Sequence, residues 1–337
     1  MGKLLFVIIL LATLSCTSST NDLPRMEVSS PSITEDFTIT NLYDAFGKPN
    51  EVLVQDFGFS AVIRYKGKTI LFDAGTNADI LKQNAQALGV DLSKVDFAVA
   101  SHAHGDHING FDYLLQVNPN VLIYLPFDFY AGARINFNIT GKEVEAIDSL
   151  PTEMQYFAGQ KDLDITINQS GRFWNASTKF VSENFKIEQG IELIATRSPY
   201  LGYGSKYPSI EEIQGAENQS KDSDIAFAGL PELSLTLSTD QGEVILVGCS
   251  HSSVQNIIKE TKRVTNRPIH MVYGGYHMLP YERGEILAAA QYLKHELGVA
   301  KVAPTHCTGH LAFKILKDMY ENDYLIAGLG KTITIGS

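Results

Sequence analysis

The chain lacks an excess of basic residues. It carries 27 lysines and arginines against 38 aspartates and glutamates, which gives a net charge of −11. Binding to nucleic acid requires a basic surface that meets the phosphates, and non-specific attachment to anionic membranes requires one too. The composition therefore argues against nucleic acid as a partner and against non-specific binding to anionic lipid headgroups. A small-molecule partner is the remaining expectation.

The apolar run at the N-terminus is not long enough to cross a membrane. It extends from Leu4 to Leu14, whereas a spanning helix needs roughly 20 apolar residues. The run is typical of the apolar core of a secretory signal, here residues 1–16. Cys16, followed by polar TSSTND, resembles the lipidated cysteine of bacterial lipoproteins, although the nearest leucine lies two positions before it rather than three.

We therefore expect an exported protein of the periplasm or cell envelope, attached through a lipid on Cys16. An ordinary secreted protein and a plain N-terminal anchor are the alternatives. Residues 17–34 are rich in Ser, Thr and Pro, which is typical of a tether. Residues 35–337 are then left to form the folded domain.

The first part of that domain predicts α/β structure. Strands are expected over 37–46, 51–67 and 68–75, because these stretches alternate or run apolar between Gly and Pro. A helical pattern follows over 76–89, and a short β-branched run over 95–101 leads into the next loop. The order strand, loop, helix, strand is typical of an α/β domain.

The same order returns near the C-terminus, with a hairpin over 233–251 and an amphipathic helix over 283–298. Between the two parts, the segment at about 127–225 is rich in aromatic residues, Asn and Gly and has weak periodicity. We interpret it as insertion-like. It contains a predicted strand over 179–187 and a long loop over 200–224, and long loops are usually functional or mobile.

Histidine is scarce, with nine in the chain, yet three lie within the stretch SHAHGDHING. His102 and His104 are two positions apart, so on an extended segment both imidazoles point to one side. Gly105 lets the backbone turn, and Asp106 and His107 then face a second point. Paired metal ions in hydrolytic sites lie roughly 3.5–4 Å apart, so the stretch predicts ligands for two divalent ions. These donors suit Zn, with Fe or Mn as alternatives.

Each ion needs further ligands, and other histidines follow predicted strands downstream. His251 ends GCSH, His277 ends GGYH, and His306 lies in PTHCTGH with His310 close behind. Ligands gather at the carboxyl ends of strands in α/β sheets, so these positions are candidates. His295 lies on a helix rich in Lys and Glu and is expected to face solvent.

These motifs resemble the metallo-β-lactamase superfamily. HAHGDH matches the HxHxDH signature, and Asp73 in ILFDAG matches a motif upstream of it. The order GCSH, GGYH, PTHCTGH is similar to the branch known as dihydropterin-ribofuranosylaminobenzene phosphate synthases. The resemblance covers about 50–125 and 230–335. It implies a four-layer αββα sandwich with two divalent metals at one edge.

The resemblance also implies the ligands. His102 and His104 match ligands of the first ion, while Asp106 and His107 match ligands of the second. His306 matches the last histidine ligand, on the second ion.

The superfamily's usual third histidine ligand of the first ion has no counterpart at its usual place here, because no histidine lies between 108 and 250. We favour His251, and a structural histidine beside a helix start is the alternative. Cys249 matches the position of a metal-bridging aspartate, and a packed thiol is the alternative. His277 is either a ligand or a residue that holds a ligand or a substrate oxygen. Asp73 is expected to orient histidines rather than bind metal.

Cysteine is scarce too, with three in the chain. Apart from Cys16, only Cys249 and Cys307 remain, and two exported cysteines can form a disulfide. Both lie beside histidines in Gly-rich turns, so we expect a role near the metal or in packing. Their spacing alone leaves a bridge open.

The predicted function is that of a metal-dependent hydrolase acting on an ester, lactone, amide or phosphodiester. In this mechanism a metal-bound hydroxide attacks the substrate, and Asp106 orients that hydroxide. His277 or a tyrosine of the loop 199–208 then protonates the leaving group. An ordinary surface loop without contact to substrate is an equally good interpretation of residues 199–208.

A pterin transferase is an alternative function, but such chemistry fits poorly with an export signal. A non-catalytic metal-binding or ligand-binding lipoprotein is the third reading. The sequence predicts no oligomeric state.

Overall fold

The computed structural model describes residues 37–336, except 49, 127–133, 140, 162, 169–175 and 199–229. The predicted signal (1–16), Cys16 and the tether (17–34) lie outside the described residues, as does the loop that includes 200–224. Within the described part of the chain, no helix is both long enough and apolar enough to cross a membrane.

Fifteen strands are present in the described ranges, and they form two large sheets and one small one. They are β1 (Phe37–Tyr43), β2 (Ser60–Tyr65), β3 (Lys68–Phe72), β4 (Phe97–Val99), β5 (Leu122–Pro126), β6 (Arg134–Ile139), β7 (Leu163–Asn168), β8 (Thr178–Val181), β9 (Phe185–Glu188), β10 (Ile191–Ser198), β11 (Leu230–Thr239), β12 (Gly242–Val247), β13 (Ile269–Gly275), β14 (Lys301–Thr305) and β15 (Thr332–Ile335).

The first sheet has the order β15-β1-β2-β3-β4-β5-β8. Its β2–β3 hairpin turns at Lys66 and Gly67, which both have positive φ, as a tight two-residue turn of type I′ requires. From β3 to β8 the strands are parallel, so their carboxyl ends share one edge.

The second sheet has the order β14-β13-β12-β11-β10-β9, and β12, β13 and β14 are parallel. Strands β6 and β7 pair only with each other, antiparallel.

The helices are α1 (Ala78–Ala87), α2 (Gly105–Ile108), α3 (Phe111–Val117), α4 (Lys142–Ile147), α5 (Val254–Thr265), α6 (Arg283–Gln291) and α7 (His310–Tyr320). Side chains cap the longer helices: the Asn77 side chain accepts hydrogen bonds from the first turn of α1, and Ser253 does so for α5. Helix α6 begins with a capping box and continues as a π-helical turn over Tyr292–Glu296.

Three buried clusters show that the layers are stacked αββα. Phe59 and Phe72 of the first sheet pack against Leu235 and Tyr273 of the second, which forms the central core. A second cluster joins the first sheet to α1 and α3, and a third joins the second sheet to α5, α6 and α7. The predicted α/β class and the four-layer sandwich are therefore confirmed.

Two predicted strands differ from the structure. Residues 51–58 form no strand before β2, because the Asn84 side chain takes over the backbone pairing at Val54: it accepts from the Val54 N–H at 2.8 Å and donates to the Val54 carbonyl at 2.9 Å. The predicted strand over 179–187 is two strands, since β8 belongs to the first sheet and β9 to the second. The chain changes sheets between them.

Asn84→Ala should destabilise the fold by roughly 2–3 kcal/mol, because Asn84 is fully buried and also donates to the Leu42 carbonyl at 3.1 Å. Urea unfolding measures this loss. Gln86→Ala on the exposed face of the same helix is the control and should change stability by less than about 0.5 kcal/mol. Equal effects of the two substitutions would contradict this account of the segment 51–58.

Candidate metal centre

The predicted site residues meet at one edge of the sandwich. The motif HAHGDH follows β4 of the first sheet, while His251, His277 and His306 follow β12, β13 and β14 of the second. Because these three strands are parallel neighbours, their carboxyl ends present the three loops side by side. The sandwich then brings both sheets' loops together.

One group consists of three imidazoles, those of His102, His104 and His251. The His251 ring centroid lies 4.8 Å from that of His102 and 4.6 Å from that of His104, and the His102 and His104 centroids are 4.6 Å apart. The Nε2 atoms of His102 and His251 are buried and have no hydrogen-bond partner among the described residues. Unpaired buried nitrogens of this kind are suited to holding a metal ion.

A second group consists of Asp106, His107, Cys249 and His306, whose potential ligand atoms all lie within 4.8 Å of one another. The His107 Nε2 atom is 3.1 Å from Cys249 Sγ and 3.1 Å from His306 Nε2. His306 Nε2 is 3.2 Å from Asp106 Oδ2. Asp106 Oδ1 is buried with no hydrogen-bond partner in the described part of the chain. The donor set suits a divalent ion, so both groups fit a metal.

Cys249 belongs to both groups, since its sulfur also lies within 4.8 Å of the ligand nitrogens of His102 and His251. It therefore stands between them, where the sequence predicts either a bridging ligand or a packed thiol.

Asp73 orients His107 directly, and His102 through Ser101, by hydrogen bonds on the side away from the metal position. One carboxylate oxygen accepts from the Ser101 N–H at 2.7 Å, and the other lies 2.7 Å from both the Ser101 hydroxyl and His107 Nδ1. The Ser101 hydroxyl also contacts His102 Nδ1 at 2.8 Å. Both rings are thus fixed through Nδ1, which leaves Nε2 to face the metal position. This is the orienting role that the sequence predicts for Asp73.

The backbone is strained at the site. Asp73, Ser250, Ser253, His277 and His306 all have φ between 48° and 71°, a region that residues other than glycine rarely adopt. Such conformations cost energy and persist where the surrounding structure imposes them, often at functional sites. Here they turn the loops sharply after the strands, so that the ligands face inward.

The protonation states of His102, His251 and Asp106 suit metal binding. Burial, together with the neighbouring imidazoles, lowers the pKa of His102 and of His251 well below the usual value, so both rings are neutral. Burial opposes ionisation of Asp106, but the charges of His107 and His306 outweigh it and hold its pKa below the usual range. A neutral imidazole and an ionised carboxylate are the forms that bind metal.

His277 lies at the edge of the first group. Its ring centroid is 4.2 Å from that of His251, and its side chain is partly exposed. On the other side, a ring nitrogen of His277 lies within 4.8 Å of the Cys307 sulfur. Cys307 and Cys249 are buried free thiols, with no disulfide between them.

Two buried residues of the segment 127–225 clamp the loop after β14, and sequence reasoning did not find them. The Tyr156 hydroxyl donates to the His306 carbonyl and accepts from the Gly309 N–H at 2.9 Å. Glu143 accepts from the His310 N–H at 2.7 Å. No motif surrounds either residue, so the weak periodicity of their segment gave no signal.

His310 is not a ligand. Its Nε2 accepts from the Tyr156 N–H at 2.9 Å, and its Nδ1 donates to the Glu143 carbonyl at 3.0 Å. Burial lowers its pKa to about 4, so the ring stays neutral and holds the segment at Tyr156 against α7.

Two further carboxylates support ligand loops and were also missed. Glu232 accepts from the backbone N–H groups of His251 and Ser252 at 2.7 and 2.8 Å. Asp44 accepts from the His306 N–H at 3.3 Å. Both are buried carboxylates that shape the backbone of a ligand loop rather than face the metal position. Exposed Asp and Glu look no different from them in a sequence.

Asp73→Asn should weaken metal binding about 10- to 100-fold, because an amide has one acceptor oxygen and cannot replace both carboxylate oxygens, which together accept from the Ser101 N–H, the Ser101 hydroxyl and His107. Competition with a chelator of known affinity measures the change. Asp96→Asn is the control, since Asp96 accepts from a backbone N–H at the far end of the same strands and should leave affinity unchanged. Unaltered metal affinity of Asp73→Asn would refute the orienting role.

Glu143→Gln should alter the pH dependence of stability. Burial raises the pKa of Glu143 to about 7, above its ordinary value of 4.5. Between those values the folded metal-free protein binds more protons than the unfolded chain, so Glu143 lowers the free energy of unfolding as pH rises. The variant should be more stable than wild type at pH 8, by roughly 1–3 kcal/mol, and equal to it near pH 4.5.

Urea unfolding of the metal-free protein across this pH range tests the expectation. Glu145→Gln, on the exposed side of the same helix, should follow the wild-type curve. A constant difference between Glu143→Gln and wild type at all pH values would contradict the assigned protonation.

Comparisons with known proteins agree with this geometry. Residues 53–159 match the family model described as Metallo-beta-lactamase superfamily. An uncharacterized protein of Methanocaldococcus jannaschii is 26% identical, over 82% of this chain and 93% of its own length. The 7,8-dihydropterin-6-methyl-4-(beta-D-ribofuranosyl)-aminobenzene-5'-phosphate synthase of the same organism is 23% identical, over 88% of this chain and 95% of its own.

Among solved structures, Tm1679, described as a metal-dependent hydrolase of the beta-lactamase superfamily, is similar with a TM-score of 0.63. It is 23% identical, and the match covers 89% of this chain and 100% of that one. The resemblance carried by the sequence motifs is confirmed: the chain has the metallo-β-lactamase fold, and residues 53–159 match the model of that superfamily.

Proposed function

We propose that the protein is a binuclear metal-dependent hydrolase. The observation that carries the proposal is the pair of buried ligand groups, one of imidazoles and one with Asp106, joined at Cys249. The unpaired polar atoms in both groups favour two ions. The match of residues 53–159 to the metallo-β-lactamase superfamily supports metal-dependent hydrolysis as the class of reaction.

Zinc is the proposed metal at both positions, because imidazole, carboxylate and thiolate are its usual ligands. Iron and manganese are alternatives for the same donors. When bound, two such ions supply an acidified water and a positive charge for the developing oxyanion.

The chain's own residues orient and exchange protons around that centre. Asp106, held ionised by the neighbouring imidazoles, has its second carboxylate oxygen turned inward without a partner among the described residues. That oxygen can accept a hydrogen bond from the attacking water and aim it. His277 is partly exposed and lies beside His251, so it can deliver a proton to a leaving group.

The proposed substrate is a small molecule with an ester, lactone, amide or phosphodiester bond. The acidic net charge of −11 disfavours nucleic acid as substrate. The N-terminal pattern supports export to the periplasm or cell envelope, with a lipid on Cys16. Contact with the membrane is then proposed only through that lipid.

A synthase is the second candidate, favoured by the similarity to the archaeal pterin-related synthase over most of both chains. By its name, that protein synthesises a compound in which a dihydropterin is joined to a ribofuranosylaminobenzene phosphate. The export-type N-terminus favours hydrolysis instead. A non-catalytic metal-binding lipoprotein is the third candidate, and it predicts metal without turnover.

His104→Ala should remove about one metal ion per chain and lower hydrolysis of any accepted substrate at least about 100-fold, because a first-ion ligand is lost. Metal analysis is followed by an untargeted screen of hydrolysable metabolites with wild type and variant in parallel. His295→Ala is the control, since that imidazole is exposed on a helix away from the site motifs and should change neither quantity.

The outcomes separate the three candidates. Metal-dependent loss of a metabolite in the screen supports the hydrolase. Condensation of a pterin with the phosphorylated aminobenzene riboside supports the synthase. Bound metal with no turnover in either assay supports the non-catalytic metal-binding lipoprotein. Wild type that holds no stoichiometric metal would defeat the proposal itself.

A further inference from the structure

A third group of metal-binding side chains lies beside the two already described. Cys249, His277 and Cys307 follow β12, β13 and β14, so each of three adjacent parallel strands contributes one residue. Their potential ligand atoms lie within 4.8 Å of one another. The two Sγ atoms are 3.2 Å apart.

Gly275 allows the two thiols to meet. Strand β13 lies between β12 and β14, and a side chain at its end would separate the cysteines that follow its neighbours. A Cβ atom on Gly275 would lie 2.8 Å from Cys307 Sγ and 2.5 Å from the Gly248 carbonyl oxygen, which is closer than carbon can approach either. The missing side chain therefore makes the space that the sulfurs share.

Backbone strain accompanies each member of the group. Ser250 follows Cys249, His306 precedes Cys307, and both have positive φ, as does His277 itself. Three loops thus adopt a conformation that is costly for residues other than glycine, each at or next to one member of the group. Of the five left-handed residues at the metal centre, Ser250, His277 and His306 are thus the three that lie at or next to this group.

We propose that Cys249, His277 and Cys307 form a third metal position, selective for a thiophilic ion such as Zn²⁺, Cd²⁺ or Cu⁺. Two thiolates and one imidazole are softer donors than the histidines and carboxylate of the neighbouring groups. Loading of the two-ion site removes the proton of the shared Cys249 thiol, and the third ion then displaces one proton from the Cys307 thiol and leaves the imidazole neutral. The proposal does not depend on the protein being a hydrolase.

The geometry needs only a small adjustment. A tetrahedral zinc ion with bonds of about 2.3 Å holds two thiolates about 3.8 Å apart. The pair at 3.2 Å must therefore open by roughly half an ångström. Cys249 is shared with the two-ion site, so the third ion is bridged to it through one thiolate.

Occupation of this position has a consequence for His277. A ring nitrogen that binds an ion cannot also carry the proton for a leaving group. A thiophilic ion at the third position should therefore inhibit a reaction that uses His277 as a proton donor, while the two-ion site stays filled.

Titration of the reduced, metal-free full chain with Co²⁺ under anaerobic conditions tests the proposal. Wild type should bind three ions, and the third should increase the thiolate-to-metal absorption in the near ultraviolet. Cys307→Ser should bind two ions and lose that increment while keeping the absorption due to Cys249. The control variant His295→Ala, at an exposed position, should bind three ions with the same absorption as wild type.

Alkylation of the wild-type thiols is a second measurement, and it does not depend on whether the variant folds. In wild type, three equivalents of Co²⁺ should protect both buried thiols from alkylation, whereas two should leave Cys307 reactive. Two ions per chain in wild type, or unchanged absorption in folded Cys307→Ser, would overturn the proposal. So would a Cys249–Cys307 disulfide that forms in the fully loaded protein, seen as a mass lower by two hydrogens.

Discussion

The carboxylate of Asp73 is the contact on which the arrangement of the metal centre depends. It lies fully buried at the end of β3 and fixes Ser101 and His107 directly and His102 through the Ser101 hydroxyl. Burial of a carboxylate costs free energy unless the group is hydrogen-bonded, so Asp73 and these partners must be placed together. The first-sheet half of the site is therefore set by one anion in the core.

The second-sheet half is set differently, by parallel strands and the chain that packs over them. Strands β12, β13 and β14 end side by side, and their loops turn sharply through left-handed residues to bring thiols and imidazoles inward. Tyr156 and Glu143 hold the loop at His306 from outside. The described residues of the middle segment thus support the centre, and none of them belongs to a ligand group.

The fold and the ligand candidates were largely predictable because their signals are local. A short β-branched run before HAHGDH marks a strand with a loop of ligands, and GCSH and PTHCTGH repeat that pattern. The strand over 51–58 failed because one side chain, Asn84, replaced a neighbouring strand as hydrogen-bond partner. The strand over 179–187 failed because periodicity does not reveal a change of sheet at Asn184, whose amide bonds to both β10 and α5.

The amino-acid sequence by itself determined the α/β class, the order of the elements and the types of donor atom, because periodicity and motif spacing act over a few residues. Only the tertiary structure decided which donors meet. It brought His251 to the first imidazole group and placed Cys249 between the two groups. It also joined Cys307 to Cys249 across Gly275. Those pairings depend on strands from distant parts of the chain lying side by side, and spacing along the chain carries no such distances.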